Sequence, residues 1–271
     1  SILEALDFRR AMRKIEAEFG DEDWWFKVWG PDKLVADGIG EREDWILEAN
    51  DEWHGFGNLA PGFNMLDPIK ATIITPGLDV SGKFGETGIP ASIVTRFLAE
   101  HGVIVEKTGL YSFFIMFTIG ITKGRWNTLL TALQQFKDDY DRNVPMWRIL
   151  PEFCQDYPEY EKVGLRDLCL KIHALYREYD VARLTTEMYL SDMESAMKPS
   201  EAFAKMAHRE IERVDVDQLE GRVTSVLLTP YPPGIPLLIP GERFNSTIVH
   251  YLQFARKFNA QFPGFGTDIH G

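Results

Sequence analysis

The segment GLDVSGKF, residues 77–84, comes within one residue of the pattern G-x-x-x-x-G-K-[ST] that cradles nucleotide phosphates. That chemistry needs a hydroxyl after the lysine to hold magnesium, and a helix whose first amides point at the phosphate. Here the next residue is Phe84, and GETGIP follows, which does not open a helix. The segment is therefore expected to be a glycine-rich turn. The histidines, His54, His101, His173, His208, His250 and His270, form no HExxH or comparable ligand spacing, so no metal site is expected. No GxSxG elbow and no Cys/His nucleophile pattern occurs. Two places keep functional interest. In EWHGFGN (52–58), Trp53, His54 and Phe56 stand among glycines in a loop, where binding residues often lie, with core packing equally open. In VIVEKTG (103–109), Glu106 closes an apolar strand. A carboxylate there is either a solvated strand end or a directed partner for a cation, and the pattern alone favours solvation.

The elements that must position these residues follow from periodicity. SILEALDFRRAMRKIEAEFG opens in an amphipathic helix with Ile2, Leu3, Leu6, Phe8 and Met12 on one side. The tryptophans of DEDWWFKVWGPDK (21–33) point to aromatic packing. KATIITPG (70–77) predicts a strand, PASIVTRFLAEHG (90–102) a helix with Ile93, Val94, Phe97 and Leu98 inward, and VIVEKTG and YSFFIMFTIG two more strands. GRWNTLLTALQQFKDDYDRN (124–143) predicts a helix, so residues 70–143 make an α+β unit with an antiparallel pair. His101 falls at a helix C-terminus, where an imidazolium complements the dipole. Composition then shifts: 144–164 is rich in proline, tyrosine and acids, a domain boundary. Helices are expected near 165–179, 199–212 and 246–260, with a short strand at 222–228. Between the last two, TPYPPGIPLLIPGE (229–242) holds too many prolines for a helix or a central strand. Ile235, Leu237, Leu238 and Ile239 there are expected to be buried, making a rigid packed connection.

The 271 residues are 45% hydrophobic and 13% aromatic, enough for a real core. Forty-one acidic against 29 basic residues give a net charge of −12, which excludes binding along a nucleic-acid backbone. Cys154 and Cys169 are expected to be reduced thiols. Asn245-Ser-Thr fits a glycosylation acceptor formally, with nothing else suggesting secretion. No apolar run is long enough to cross a bilayer. The first residue is not methionine, and both ends are expected to be cuts through a longer polypeptide.

Several blocks in order, WHGF, LDPIKATIITPG, GIPASIVTRFLAEHGVIVEKTG, GRV, PYPPGIPLLIPGE and FPGFGTDIHG, resemble the C-terminal half of the bacterial arginine/lysine/ornithine decarboxylases, PLP-dependent enzymes with an aspartate-aminotransferase-like core. The resemblance covers almost the whole chain. It implies a mixed α+β and α/β architecture. Residues 1–143 would be the helix and small subdomain of a PLP fold-type I enzyme, an antiparallel sheet with outer helices. Residues 144–271 would be the family's C-terminal α/β domain, shortened at its end. In that family pyridoxal 5'-phosphate is held by the lysine of a Ser-x-His-Lys segment. This sequence has no His-Lys dipeptide, so no catalytic, cofactor-binding or metal-binding residue is expected within it, and the segment alone should be inactive. Glu106 matches a glutamate that faces the distal amine of the substrate, while Trp53 and His54 are neighbours of the active site that pack against the missing PLP domain. The substrate is a basic amino acid. GITKGRWNTLL and ARL (182–184) resemble arginine enzymes, VEKTG and TDIHG lysine enzymes, with ornithine third. The resemblance further implies a cytoplasmic homodimer, open to assembly of dimers, serving acid resistance or polyamine supply. A non-catalytic regulatory or assembly module of the same architecture is the alternative.

Overall fold

Helix α1 (Ile2–Phe19) carries Glu4 in its first turn, where a carboxylate suits the dipole, and stops at Gly20, whose φ of 66° suits a residue without Cβ. Its inward face is Ala5, Leu6, Phe8, Arg9 and Met12. The expected apolar stripe therefore starts one turn late: Ile2 and Leu3 are exposed, and Arg9 takes a core position. Arg9 is tolerated there because its guanidinium donates to the carbonyls of Trp29 (2.7 Å) and Lys70 (3.0 Å). Burial, with Arg13 nearby, lowers its pKa to about 10, so it stays charged at neutral pH. The computed structural model describes residues 1–20, 23–31, 45–231, 234–266 and 268–270.

Within residues 1–173, one of two compact units, an antiparallel sheet has the order β1-β2-β4-β3. Its strands are β1 (Lys27–Val28), β2 (Lys70–Ile74), β3 (Lys107–Thr108) and β4 (Ser112–Met116). Alternation sends Ala71 and Ile73 of β2 inward beside Phe113 of β4, the register placing Ile73 opposite Phe113. Helices α2 (Ala91–Glu100) and α3 (Lys123–Asp141) follow the expected order, with Ile93, Val94, Phe97 and Leu98 buried on α2 and Trp126, Leu129, Leu133 and Phe136 on α3. Phe8 meets Phe117, and Phe97 meets Phe136, each at 5.4 Å between ring centroids. The antiparallel sheet with outer helices expected from the sequence is thus the fold of this part of the chain. Within YSFFIMFTIG, Tyr111, Phe113 and Phe117 are buried, whereas Ile119 is 99% exposed. Short helices α4 (Met146–Ile149) and α5 (Pro151–Asp156) precede α6 (Leu165–Glu178), within which the two units divide. The expected boundary at 143/144 lies just after α3, inside the first unit.

The second unit, residues 174–271, contains α7 (Val181–Leu190), which the sequence pattern did not announce, α8 (Pro199–Ala207) and α9 (Ser246–Gln261). Its core forms on α9, where Phe254 and Phe258 meet Tyr176, the latter stacked at 5.3 Å. Asn245 caps α9: its Oδ1 accepts from Ile248 N (2.9 Å), and its Nδ2 donates to Ser191 Oγ and Asp192 O. The amide of the formal glycosylation sequon is therefore consumed by the fold. The expected strand at 222–228 is instead a pair of isolated bridges, Val223 with Arg243 and Leu228 with Leu238. The strand β5 comes later, at Thr229–Tyr231, and pairs with β6 (Asp268–His270). Pro230 is accommodated because a two-stranded ladder has no central strand. Of the four apolar residues expected inside, Leu237 and Leu238 are buried while Ile235 and Ile239 are exposed.

Candidate functional site

Glu106 lies where the chain leaves α2 and enters the edge strand β3. Gly102, with φ of 74°, turns the chain off the helix, and Val103 N donates back to Leu98 O (2.8 Å). Glu106 N then donates to Phe114 O (2.9 Å), which locks its backbone to β4. The side chain is exposed, and no hydrogen bond or ion pair holds its carboxylate among the described residues. Ile104 beside it is 88% exposed.

Trp53 and His54 lie elsewhere. Their loop is formed by Asn50 and Gly55, both with positive φ, and closed by Asn50 N to Phe56 O (2.8 Å). Trp53 packs on Trp29 at 4.8 Å, and Trp29 Nε1 donates to Trp53 O (3.0 Å). Trp29 follows β1, the opposite edge of the sheet from β3. Three strand spacings, about 14 Å, separate those edges. The structure therefore joins Trp53 with His54 but does not bring Glu106 to them. His54 is 5% exposed, sandwiched by Trp53 and Phe56. Its Nδ1 accepts from Phe56 N (2.9 Å), so the neutral ring carries its proton on Nε2, which is buried without a partner 3.9 Å from Asp51 Oδ2. Asp51 Oδ2 accepts from Trp53 Nε1 (3.3 Å).

The glycine-rich turn has its own anion. Asp79 Oδ1 accepts from Ser81 N and Lys83 N (both 2.9 Å) and from Ser81 Oγ (2.6 Å). Those bonds, the Ser81 hydroxyl first, hold the Asp79 carboxyl below its ordinary pKa. The amides that a phosphate would need are spent on a side chain of the same turn, and the next helix does not begin until Ala91. Gly77 and Gly88 are required by close approach. A Cβ on Gly77 would stand 2.7 Å from the Tyr111 ring, and one on Gly88 would enter the His173 imidazole. That imidazole joins Tyr111 Oη through Nδ1 (2.6 Å) and Gly85 O through Nε2 (3.0 Å). A carbonyl only accepts, so Nε2 carries the proton and Tyr111 donates to Nδ1. His173 thus pins the turn, a role its sequence position gave no sign of.

The described residues do not fit attachment of pyridoxal phosphate. A Schiff-base lysine must reach its neutral form, which burial or a neighbouring cation promotes. Among the described residues the buried lysine is Lys137. Its Nζ donates to Asp141 (2.6 Å) and Asp23 (3.0 Å) and lies over the rings of Phe19 and Trp24. Burial pulls its pKa down, but the two carboxylates outweigh that and leave it raised, the wrong direction for a nucleophile. Cys154 and Cys169 are free, and burial pushes both thiols up. Among the described residues no group of three His, Cys, Asp or Glu side chains is placed to hold a metal ion, and no helix is long and apolar enough to cross a membrane.

Comparison with known proteins supplies what the isolated geometry lacks. Residues 1–125 match the model described as Orn/Lys/Arg decarboxylase, major domain, and residues 182–271 match Orn/Lys/Arg decarboxylase, C-terminal domain. Lysine decarboxylase LdcA of Pseudomonas aeruginosa is 50% identical over 99% of this chain and 36% of its own length. The constitutive lysine decarboxylase of Escherichia coli is 37% identical over 100% of this chain and 38% of its own. The solved structure of lysine decarboxylase A from Pseudomonas aeruginosa superposes with a TM-score of 0.92, covering 100% of this chain and 37% of that one. The chain spans little more than a third of these relatives' length.

Proposed function

The chain belongs to the Orn/Lys/Arg decarboxylase family, and we propose on that premise that it is the C-terminal portion of an enzyme converting L-lysine and a proton to cadaverine and CO₂. The observation that carries this is the match of two family domains in order, with 50% identity to a lysine decarboxylase across the chain. In this proposal residues 1–143 pack as the small subdomain on a cofactor-binding domain, and residues 144–271 are the family's C-terminal domain. Pyridoxal phosphate, when bound, supplies the electron sink for loss of the carboxylate, and its lysine lies outside this chain. The enzyme is cytoplasmic and works as a homodimer, with dimers assembling further.

Glu106 is this chain's substrate contact. Its exposed carboxylate, on a backbone fixed by Phe114, pairs with the distal ammonium of lysine. Such a charge-assisted bond contributes about 1.5–3 kcal/mol when desolvated. The contact lies far from the bond that breaks, so it stabilises ground and transition states alike and acts on KM. Trp53 and His54 hold the other edge of the sheet and touch no substrate. The test is CO₂ release by the full-length polypeptide from lysine, arginine and ornithine in parallel. Lysine should give the highest kcat/KM, and the chain 1–271 alone should release none. Absence of release from lysine would sink the proposal; a preference for arginine would move the substrate assignment and leave the decarboxylase.

A further inference from the structure

We propose that Thr108 and Thr95 form a positioning pair that sets the Glu106 carboxylate for its substrate, an inference that rests on the substrate role given to Glu106. Strand β3 is two residues long and has a neighbour on one side only, β4. Short edge strands with few backbone bonds are where a sheet opens first. The segment bearing Glu106 is held to α2 at two points. Before it, Val103 N donates to Leu98 O (2.8 Å). After it, Thr108 Oγ1 donates to Thr95 Oγ1 (3.2 Å), which donates in turn to Ser92 O (3.3 Å). Both threonines are half-buried.

Glu106 stands two residues before Thr108, at the bend by which the chain enters β3. The Thr108 hydroxyl is thus a side-chain tie to α2 only two residues after Glu106. Beyond it the chain is open, with Ile104 88% exposed. Without that tie the segment would be held by backbone bonds alone, its carboxylate would sample more positions, and a ligand would have to freeze one of them. The threonine pair removes that cost in advance. It touches no substrate and acts through the strand.

Five variants of the full-length enzyme test this, with lysine as the substrate. Thr108→Val keeps the β-branched shape and deletes the donor; Thr95→Val deletes the acceptor. Each should raise KM for lysine about 2- to 10-fold, the range one modest hydrogen bond commands, while kcat and cofactor content hold. Thr108→Ser, which restores the hydroxyl, should return KM to the wild-type value. Glu106→Gln should raise KM about 10- to 150-fold, and adding Thr108→Val to it should raise KM no further, because the positioned charge is gone. A raised KM in Glu106→Gln with a silent Thr108→Val, or with fully additive effects in the double variant, overturns the positioning role alone. A silent Glu106→Gln overturns both this inference and the substrate contact beneath it. A loss of kcat without a change in KM in the threonine variants marks a merely structural bond and also overturns it.

Discussion

The sheet of the first unit ends in two different ways. At the β1 edge, the rings of Trp29, Trp53, His54 and Phe56 pack on one another, and Asp51 and the His54 Nδ1 accept bonds from within the same loop, with His54 Nε2 buried and not hydrogen-bonded. Arg9 and Lys137, the buried cations near that side, are each held by oxygens of this chain. At the β3 edge two residues of strand suffice, Ile104 is bare, and the Glu106 carboxylate is left to solvent. Both edges attract attention in the sequence, because an aromatic loop and a carboxylate at a strand end each have a functional and a structural explanation. The difference lies in where the polar groups spend their bonds. A group satisfied inside the fold stabilises it, and one left open on a fixed backbone is available to a ligand.

The largest effect is expected in the turn 77–88, whose polar groups are likewise spent inside the fold, at Gly88. Gly88→Ala would drive a methyl into the His173 ring and against Gly77, and should cost about 3 kcal/mol or more. A melting temperature unchanged by Gly88→Ala would mean that the turn 77–88 is not held as described. Next comes Trp53→Ala, which removes the ring that bridges Trp29 and His54. Trp53 is only half-buried, so a loss of about 2–3 kcal/mol is expected, with KM of the full-length enzyme unmoved. A raised KM without loss of stability would transfer Trp53 to the open class.

Lys137→Met should cost less, about 1–2 kcal/mol, because Asp23 and Asp141 are each 45% exposed and remain solvated. Its pH signature is distinct. The raised Lys137 contributes stability fully below its ordinary value of 10.5 and loses it as pH rises through the higher folded value. Asp23, lowered chiefly by its bond to Lys137, contributes above 3.8 and loses that as pH falls through its lower folded value. The wild type should therefore exceed Lys137→Met between those limits and converge with it towards both extremes in thermal melts. A gap independent of pH would assign the lysine a packing role alone.

Much of this was legible from periodicity, and what was not has common causes. Helices α1, α2, α3 and α9 and strands β2 and β4 were readable because their apolar residues recur at the spacing of one buried face. Arg9 was missed because its burial depends on carbonyls 20 and 61 residues away. His173 meets Tyr111 across 62 residues, and no local pattern records such a pair. Ile235 and Ile239 were expected inside on composition, but the fold buries Leu237 and Leu238, the pair whose amides are tied back to Leu228. At the site, residue type left Glu106, Trp53 and His54 each with a structural explanation, and the resemblance put Glu106 ahead; the hydrogen bonds tie Trp53 and His54 into their own loop.

Glu106→Gln is the smallest expected change to the fold and the cleanest probe of the contrast. The carboxylate makes no bond within the described chain, and the amide is its isostere, so the melting temperature should move by no more than about 1 °C, as for a surface substitution within ±0.5 kcal/mol. His54→Gln, at the other edge, removes a buried ring that caps Phe56 N and should be clearly destabilising by the same measurement. Comparing the two melts places each residue without reference to activity. A large loss in Glu106→Gln would show that its carboxylate is consumed by the fold after all, and a group so consumed has no charge to offer a substrate amine.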